Sequence, residues 1–347
     1  RIYNSALDAT AVENLYNEKP EVNTSNFETV LYKGNGGSQY ISNVGFQPDL
    51  VWIKSRGINY DHQLHDSVRG AGNGLLSNSN VASVFYNTVT SFDSNGFFVN
   101  APGTYVGTNA NNQNFVAWCW KSGGDAVNNT DGDITSQVSV NQNAGFSIVK
   151  WTGNDSANAT IGHGLNSAPE LYIIKKTSAA ADWQANLASS VTGTEGYLTL
   201  NGDATIYTTF PNYYTSANST VLSTNGTTNA ERLYNNQSAD YIAYCFHSVT
   251  GYQKMGVYTG NGNNSGPIIT TGFRPRFVMV KGSSINKSWR VQDDKRGYSS
   301  STGVVESLLE WNTTSIEGTG ADRVKFTDTG FQIVTASAGW NSSGQQY

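Results

Sequence analysis

Few residues of this 347-residue chain have the type and spacing to do chemistry, and the densest group is Asp61-His62-Gln63-Leu64-His65-Asp66. Two imidazoles beside carboxylates could hold a metal ion, but the spacing fits none of the usual zinc patterns. At the matching place later in the chain stands Trp289-Arg290-Val291-Gln292-Asp293, so the histidines do not recur. What recurs is an aspartate followed by an arginine, Asp66 with Arg69 and Asp294 with Arg296, which reads as a structural turn. A further copy has Ser190-Val191-Thr192-Gly193 there and lacks the arginine. His163, between Gly162 and Gly164, reads as a turn residue. Cys119 and Cys245 sit in apolar runs, where a thiolate is disfavoured. Acidic residues are scarce and none recurs as a pair, so no couple of carboxylates for glycoside hydrolysis stands out. The Gly-Asn-Gly blocks lack the following Lys-Ser/Thr of a phosphate loop. We therefore expect no catalytic residue, no metal and no cofactor.

Aromatic rings are the better candidates, for binding rather than for reaction. Tyr207, Phe210, Tyr213 and Tyr214 cluster in a polar insertion. Rings of this kind stack on sugar faces or anchor protein contacts when exposed. The alternative is that they pack the insertion onto its own domain. Together with His62, His65 and Trp289, these four form the set of candidate partner-binding residues.

The elements that must position these residues are repeated. Tyr32-Lys33-Gly34-Asn35-Gly36 returns as Trp151-Thr152-Gly153-Asn154-Asp155 and as Tyr258-Thr259-Gly260-Asn261-Gly262. Each block is followed by a second shared pattern ending in an apolar run: Leu50 to Lys54, Leu171 to Lys175, and Phe277 to Lys281. The offsets from Asn35 to Asn154 and from Asn154 to Asn261 are 119 and 107 residues, the size of domains rather than of solenoid repeats. The apolar runs read as equivalent central strands with alternate residues buried. Asp93-Ser94-Asn95-Gly96 puts a hairpin turn before Phe97-Phe98-Val99, and Asp328-Thr329-Gly330 does so before Phe331. Abundant Gly, with 19 Tyr and 14 Phe, favours short strands and many turns.

The expected fold is therefore all-β, with three tandem antiparallel β-sandwich modules. The boundaries read as residues 27–124 for module 1, 125–143 for a polar linker, 144–250 for module 2 and 251–347 for module 3. Modules 1 and 2 close on Ala117-Trp118-Cys119-Trp120 and Ala243-Tyr244-Cys245-Phe246. Module 3 has no counterpart of this strand before Tyr347. The cysteines, at equivalent places in separate modules, read as buried and reduced, which implies assembly in a reducing compartment. Formal net charge is −5 with no basic run, which disfavours nucleic-acid binding. No apolar run reaches the roughly 18 residues that span a bilayer, so membrane insertion is not expected.

Residues 1–26 read as something else. Arg1-Ile2-Tyr3-Asn4-Ser5-Ala6-Leu7, with Val12-Glu13-Asn14-Leu15-Tyr16-Asn17, resembles the last strand and closing helix of laminin-G-like, concanavalin A-like lectin modules. The resemblance implies the end of an upstream lectin-like domain followed by a linker. Across about residues 27–347, segments such as Ala144-Gly145-Phe146-Ser147-Ile148-Val149, Ile161-Gly162-His163-Gly164-Leu165 and Thr271-Gly272-Phe273-Arg274-Pro275 resemble repeated modules in virion proteins of marine tailed phages. That resemblance implies a non-enzymatic structural or adhesive part of a virion appendage, a tail fibre or related fibre. Such a part is assembled in the bacterial cytoplasm and exposed on the particle. Its expected partners are other copies of itself as a homotrimer, other virion proteins and host surface glycan. The alternatives are a polysaccharide depolymerase and a bacterial extracellular adhesin or filament subunit.

Overall fold

β-Branched and aromatic residues in short runs, separated by glycine and asparagine turns, dictate strands and hairpins here. The computed structural model describes residues 26–101, 107–193, 196–208, 215–224, 234–319 and 323–347. The lectin-like stretch at residues 1–25 lies outside them.

Module 1 holds β1 (Phe27–Lys33), β2 (Gln39–Ile41), β3 (Leu50–Ser55), β4 (Gln63–Asp66), β5 (Asn73–Leu76), β6 (Val84–Phe85), β7 (Val89–Asp93), β8 (Gly96–Val99) and β9 (Asn114–Trp120). One sheet runs β1-β9-β3-β4-β5-β6 and the other β2-β8-β7. Then follow β10 (Val127–Asn129), β11 (Ser136–Asn141), β12 (Phe146–Thr152), β13 (Thr160–Gly162), β14 (Leu171–Lys176), β15 (Gln184–Leu187), the short helix α1 (Ser189–Thr192), β16 (Gly196–Thr199), β17 (Thr215–Ala217), β18 (Val221–Thr224) and β19 (Asp240–Phe246). These form sheets β10-β11-β12-β19-β14-β15-β16 and β13-β18-β17. The stretch expected as a linker thus contributes β10 and β11. Val138 of β11 adds an apolar side chain to the core of module 2, which draws the segment onto the sheet.

Module 3 holds β20 (Ile268–Thr270), β21 (Phe277–Val280), β22 (Arg290–Asp293), β23 (Val304–Val305), β24 (Leu309–Glu310), β25 (Val324–Thr327), β26 (Gly330–Ile333) and the short helix α2 (Ala338–Asn341). Its sheets are β21-β22-β24 and β20-β26-β25-β23. All paired strands within these sheets are antiparallel, and each module packs its two sheets face to face over its own core. Among the described residues no helix is long and apolar enough to cross a membrane.

Registers align the modules residue by residue. β3 pairs with β4, β14 with β15 and β21 with β22 in the same phase, so Leu50, Leu171 and Phe277 are equivalent. The expected equivalence of these three strands holds, and burial alternates along β21 but not along β3 or β14. β3 is buried on both faces. Val51 and Ile53 face the core of module 1, while Leu50 and Trp52 face a second core to which all three modules contribute. That shared core gathers Trp118 and Leu64 from module 1, Trp183 and Tyr244 from module 2, and Trp289 and Trp311 from module 3. A strand between two cores reads as a continuous apolar run rather than an alternation.

Candidate functional site

The repeated Gly-Asn blocks are structural. A Cβ on Gly34, Gly153 or Gly260 would lie 2.2, 2.3 and 2.3 Å from the carbonyl oxygens of Ala110, Asn236 and Ser342, so only glycine fits. The following asparagine clasps a second one across each module. Asn109 Nδ2 donates to Asn35 Oδ1, Asn235 Nδ2 to Asn154 Oδ1 and Asn341 Nδ2 to Asn261 Oδ1, each at 2.9 Å. Asn109 and Asn235 sit in loops and Asn341 ends the short helix α2, in stretches of unlike sequence. Only their fixed distance ahead of the Phe115, Tyr241 and Tyr347 positions marks them.

The residues with chemical potential converge on the seams between modules. His62, Trp183 and Trp289 are equivalent, each one residue before the strand that pairs with β3, β14 or β21. His62 Nε2 meets the Glu310 carbonyl at 3.1 Å, Trp183 Nε1 donates to Leu76 O at 2.8 Å, and Trp289 Nε1 donates to Thr199 O at 2.8 Å. Leu76, Thr199 and Glu310 are themselves equivalent. Module 1 therefore grips module 3, module 2 grips module 1, and module 3 grips module 2, by the same contact each time. The three modules close into a pseudo-threefold ring.

A second set of equivalent bonds repeats the circuit. Lys54 Nζ donates to Thr314 O at 3.1 Å, Lys175 Nζ to Asn80 O at 3.0 Å and Lys281 Nζ to Asp203 O at 3.2 Å. Burial pushes each ammonium down to about 8 from the usual 10.5, so all three stay charged at neutral pH. The carbonyls supply the acceptors that a buried cation needs.

A third contact is present twice. Tyr244 Oη donates to Asp66 Oδ2 at 2.8 Å, and Trp118 Nε1 donates to Asp293 Oδ2 at 2.9 Å. Each aspartate also binds the arginine three residues on, Asp66 with Arg69 and Asp293 with Arg296. The recurring pair is thus Asp293–Arg296. Asp294 instead binds Arg276. The Arg296 guanidinium lies 5.3 Å from the centre of the Trp118 ring. The equivalent position of module 2 is Leu187, with no arginine after it.

Among the described residues, the ion pairs that cross between modules lie at the seam of modules 1 and 3. Arg56 and Arg296 both bind Glu317, and Arg276 binds Glu28. Burial would raise the Glu317 carboxyl, but the hydrogen bonds and charges of Arg56 and Arg296 hold it below the ordinary carboxylate range. Trp52 stacks on Trp311 across the same seam, with ring centres 3.6 Å apart.

This placement corrects the reading of three candidate residues as partner contacts. His62, His65 and Trp289 are buried, because each is needed within or between modules. Trp52 Nε1 donates to His62 Nδ1 at 3.0 Å, so the proton of neutral His62 sits on Nε2 and is given to Glu310 O. His65 Nδ1 bonds Ala71 O at 2.6 Å. Tyr207 is 36% exposed and stacks on Tyr197, with ring centres 5.0 Å apart. Phe210, Tyr213 and Tyr214 lie outside the described residues. His163 accepts the Leu165 N–H and meets Asn218 O, which holds its turn. Cys119 and Cys245 are free and buried, and burial raises both thiols, Cys245 to about 12. Among the described residues no cluster of three metal-binding side chains occurs.

A family described as a domain of unknown function matches residues 23–347, a span that takes in all three modules. No curated protein and no solved structure matches the chain.

Proposed function

The chain belongs to this family, DUF7483, and we propose that it is a non-enzymatic structural and adhesive component of a phage virion appendage, a tail fibre or related fibre. The closed ring is the observation that carries this reading. The imidazoles, indoles, ammonium groups and carboxylates that could have formed a reactive site are used to hold three copies of one module together. A rigid body with repeated outer faces suits a part that bears load and makes contacts. The resemblance of the sequence segments to marine tailed-phage virion modules points to the same reading. Contact surface remains on the outer sheets. Tyr40 and Phe98, each 39% exposed, stand together there with ring centres 4.9 Å apart. Tyr207 adds a third ring on module 2. These faces would meet further copies of the chain, other virion proteins or host surface glycan.

Antibody raised against the purified chain tests the reading on intact particles. The expected result is label at one structure of the particle, with purified chain lowering phage adsorption when it is added to host cells first. Unlabelled particles would overturn it. Release of reducing sugar ends from host polysaccharide by the purified chain would favour the depolymerase alternative. Label on uninfected bacteria would favour the adhesin.

A further inference from the structure

The smaller sheet of module 1, the smaller sheet of module 2 and the corresponding sheet of module 3 each end on an equivalent outer strand: β2, β13 and β20. Their registers coincide. Ile41 stands opposite Phe97, Ile161 opposite Leu222 and Ile269 opposite Phe331, all turned toward a module core. The neighbouring pairs, turned outward, are Tyr40–Phe98, Thr160–Ser223 and Ile268–Gln332.

In module 2 the chain itself fills this edge. Ile134 N–H donates to Thr160 O at 3.0 Å, Thr160 N–H donates to Asp133 Oδ2 at 3.1 Å, and Ile134 bridges Ile161. Both main-chain groups of Thr160 therefore point away from β18. By the shared register, those of Tyr40 and Ile268 point off β2 and β20 in the same way. Among the described residues nothing pairs with them. The chain entering module 3 does not reach β20, because Ser248 N–H is held by Glu170 and the Gln253 side chain by the His247 carbonyl. Both open edges also carry apolar side chains outward. Tyr40 and Phe98 form the exposed ring pair, and Ile268 is 70% exposed. An open edge lined by apolar side chains is a template for another strand.

We propose that β2 of one copy of this chain pairs with β20 of a second copy, antiparallel, with Tyr40 opposite Ile268. Two residues that both turn N–H and C=O outward can exchange both bonds only in an antiparallel pair. An aromatic residue opposite a β-branched one is a favourable cross-strand pair, and it sets Phe98, Tyr40 and Ile268 side by side in one strip. Pro267 is compatible with the contact. Its carbonyl accepts Ile333 N–H within the sheet, so the N–H it lacks would face β26 and not the new strand. Cross-pairing is favoured over like-with-like because one kind of contact covers both the ring pair and Ile268. Each copy offers one edge of each kind, so the contact is head-to-tail and either closes into a ring or runs on as a filament. A short edge makes a weak contact that copy number multiplies. The proposal rests on the reading of the outer faces as contact surface, and it is tested on the purified chain rather than on particles.

Sedimentation velocity of the full chain over rising concentration tests it, alongside Tyr40→Lys and Ile268→Lys, since lysine blocks strand edges. The wild type should grow past a dimer, and each variant alone should stay monomeric. An equimolar mixture of the two variants should give one-to-one dimers and nothing larger, because one intact edge of each kind remains. Self-dimers of either variant alone would overturn the cross-pairing. A wild-type chain that stays monomeric at millimolar concentration would overturn the proposal, and labelled particles beside such a monomer would leave the virion reading standing without it. Amide exchange needs no variant. The Tyr40 and Ile268 amides should slow roughly ten-fold from dilute to concentrated wild type, and exchange independent of concentration would overturn the pairing.

Discussion

His62 stays neutral in the fold because both ring nitrogens are committed. Trp52 can only donate to Nδ1, and Glu310 O can only accept from Nε2. A second proton would place two donors face to face at Nδ1. Burial also holds the imidazole well below its usual value, and holds His65 down at about 4. In the unfolded chain both titrate near 6.5. Between about pH 6.5 and 4 the unfolded chain therefore binds protons that the fold refuses, so stability is present above that window and is lost as pH falls through it. We predict a falling melting temperature from pH 7 to 4.5 and a flatter profile in the His62→Gln, His65→Gln double variant. A profile equally steep in both proteins would remove these residues as the cause. The sequence showed the two histidines as a group and could not show their burial, because their partners lie 248 residues away at Glu310 or in backbone carbonyls.

At the scale of the element, the Gly-Asn blocks were legible as repeats, while their purpose was not. The partner of each block is an asparagine roughly 80 residues on, with no sequence mark beyond its distance to the next aromatic position. The strands themselves were readable because apolar runs bounded by glycine and proline leave few alternatives. Residues 125–143 were misread because a polar face conceals the inward Val138 and Ser136 of β11. The glycine at the head of each block gives an element-scale prediction. In Gly153→Ala, the new methyl would meet Asn236 O at 2.3 Å, a backbone atom that can move only if the Asn154–Asn235 clasp opens. We expect a loss of about 2–3 kcal/mol in chemical denaturation, the scale of an overpacked site. Alanine at Gly193 instead meets a positive φ with open space around its Cβ, so a smaller loss, about 1 kcal/mol, is expected there.

At the scale of the whole molecule, three modules in one polypeptide do what three subunits do in a cyclic oligomer. Equivalent contacts pass from module 1 to 3, from 2 to 1 and from 3 to 2, and closure leaves one core common to all. The homotrimer expected for a fibre part would therefore be built from bodies that already carry internal threefold pseudosymmetry, and copies would meet through outer faces. Tandem repeats alone cannot distinguish a string of independent modules from such a ring. The distinguishing residues, Trp183 against Leu76 and Lys281 against Asp203, are unremarkable in sequence. Trp118 is where the two arrangements predict different behaviour. It belongs to module 1, is fully buried, and donates to Asp293 in module 3 beneath the Arg296 guanidinium. Trp118→Ala should cost about 3–5 kcal/mol, the range for a large buried ring, while Asp293 Oδ2 keeps its bond from Arg296. In independent modules, that loss would split the melting curve and leave modules 2 and 3 untouched. In the ring, the loss opens the shared core, so a single calorimetric transition should move to lower temperature as a unit. Amide protection should fall in β22 of module 3 as well as in β3 and β4 of module 1.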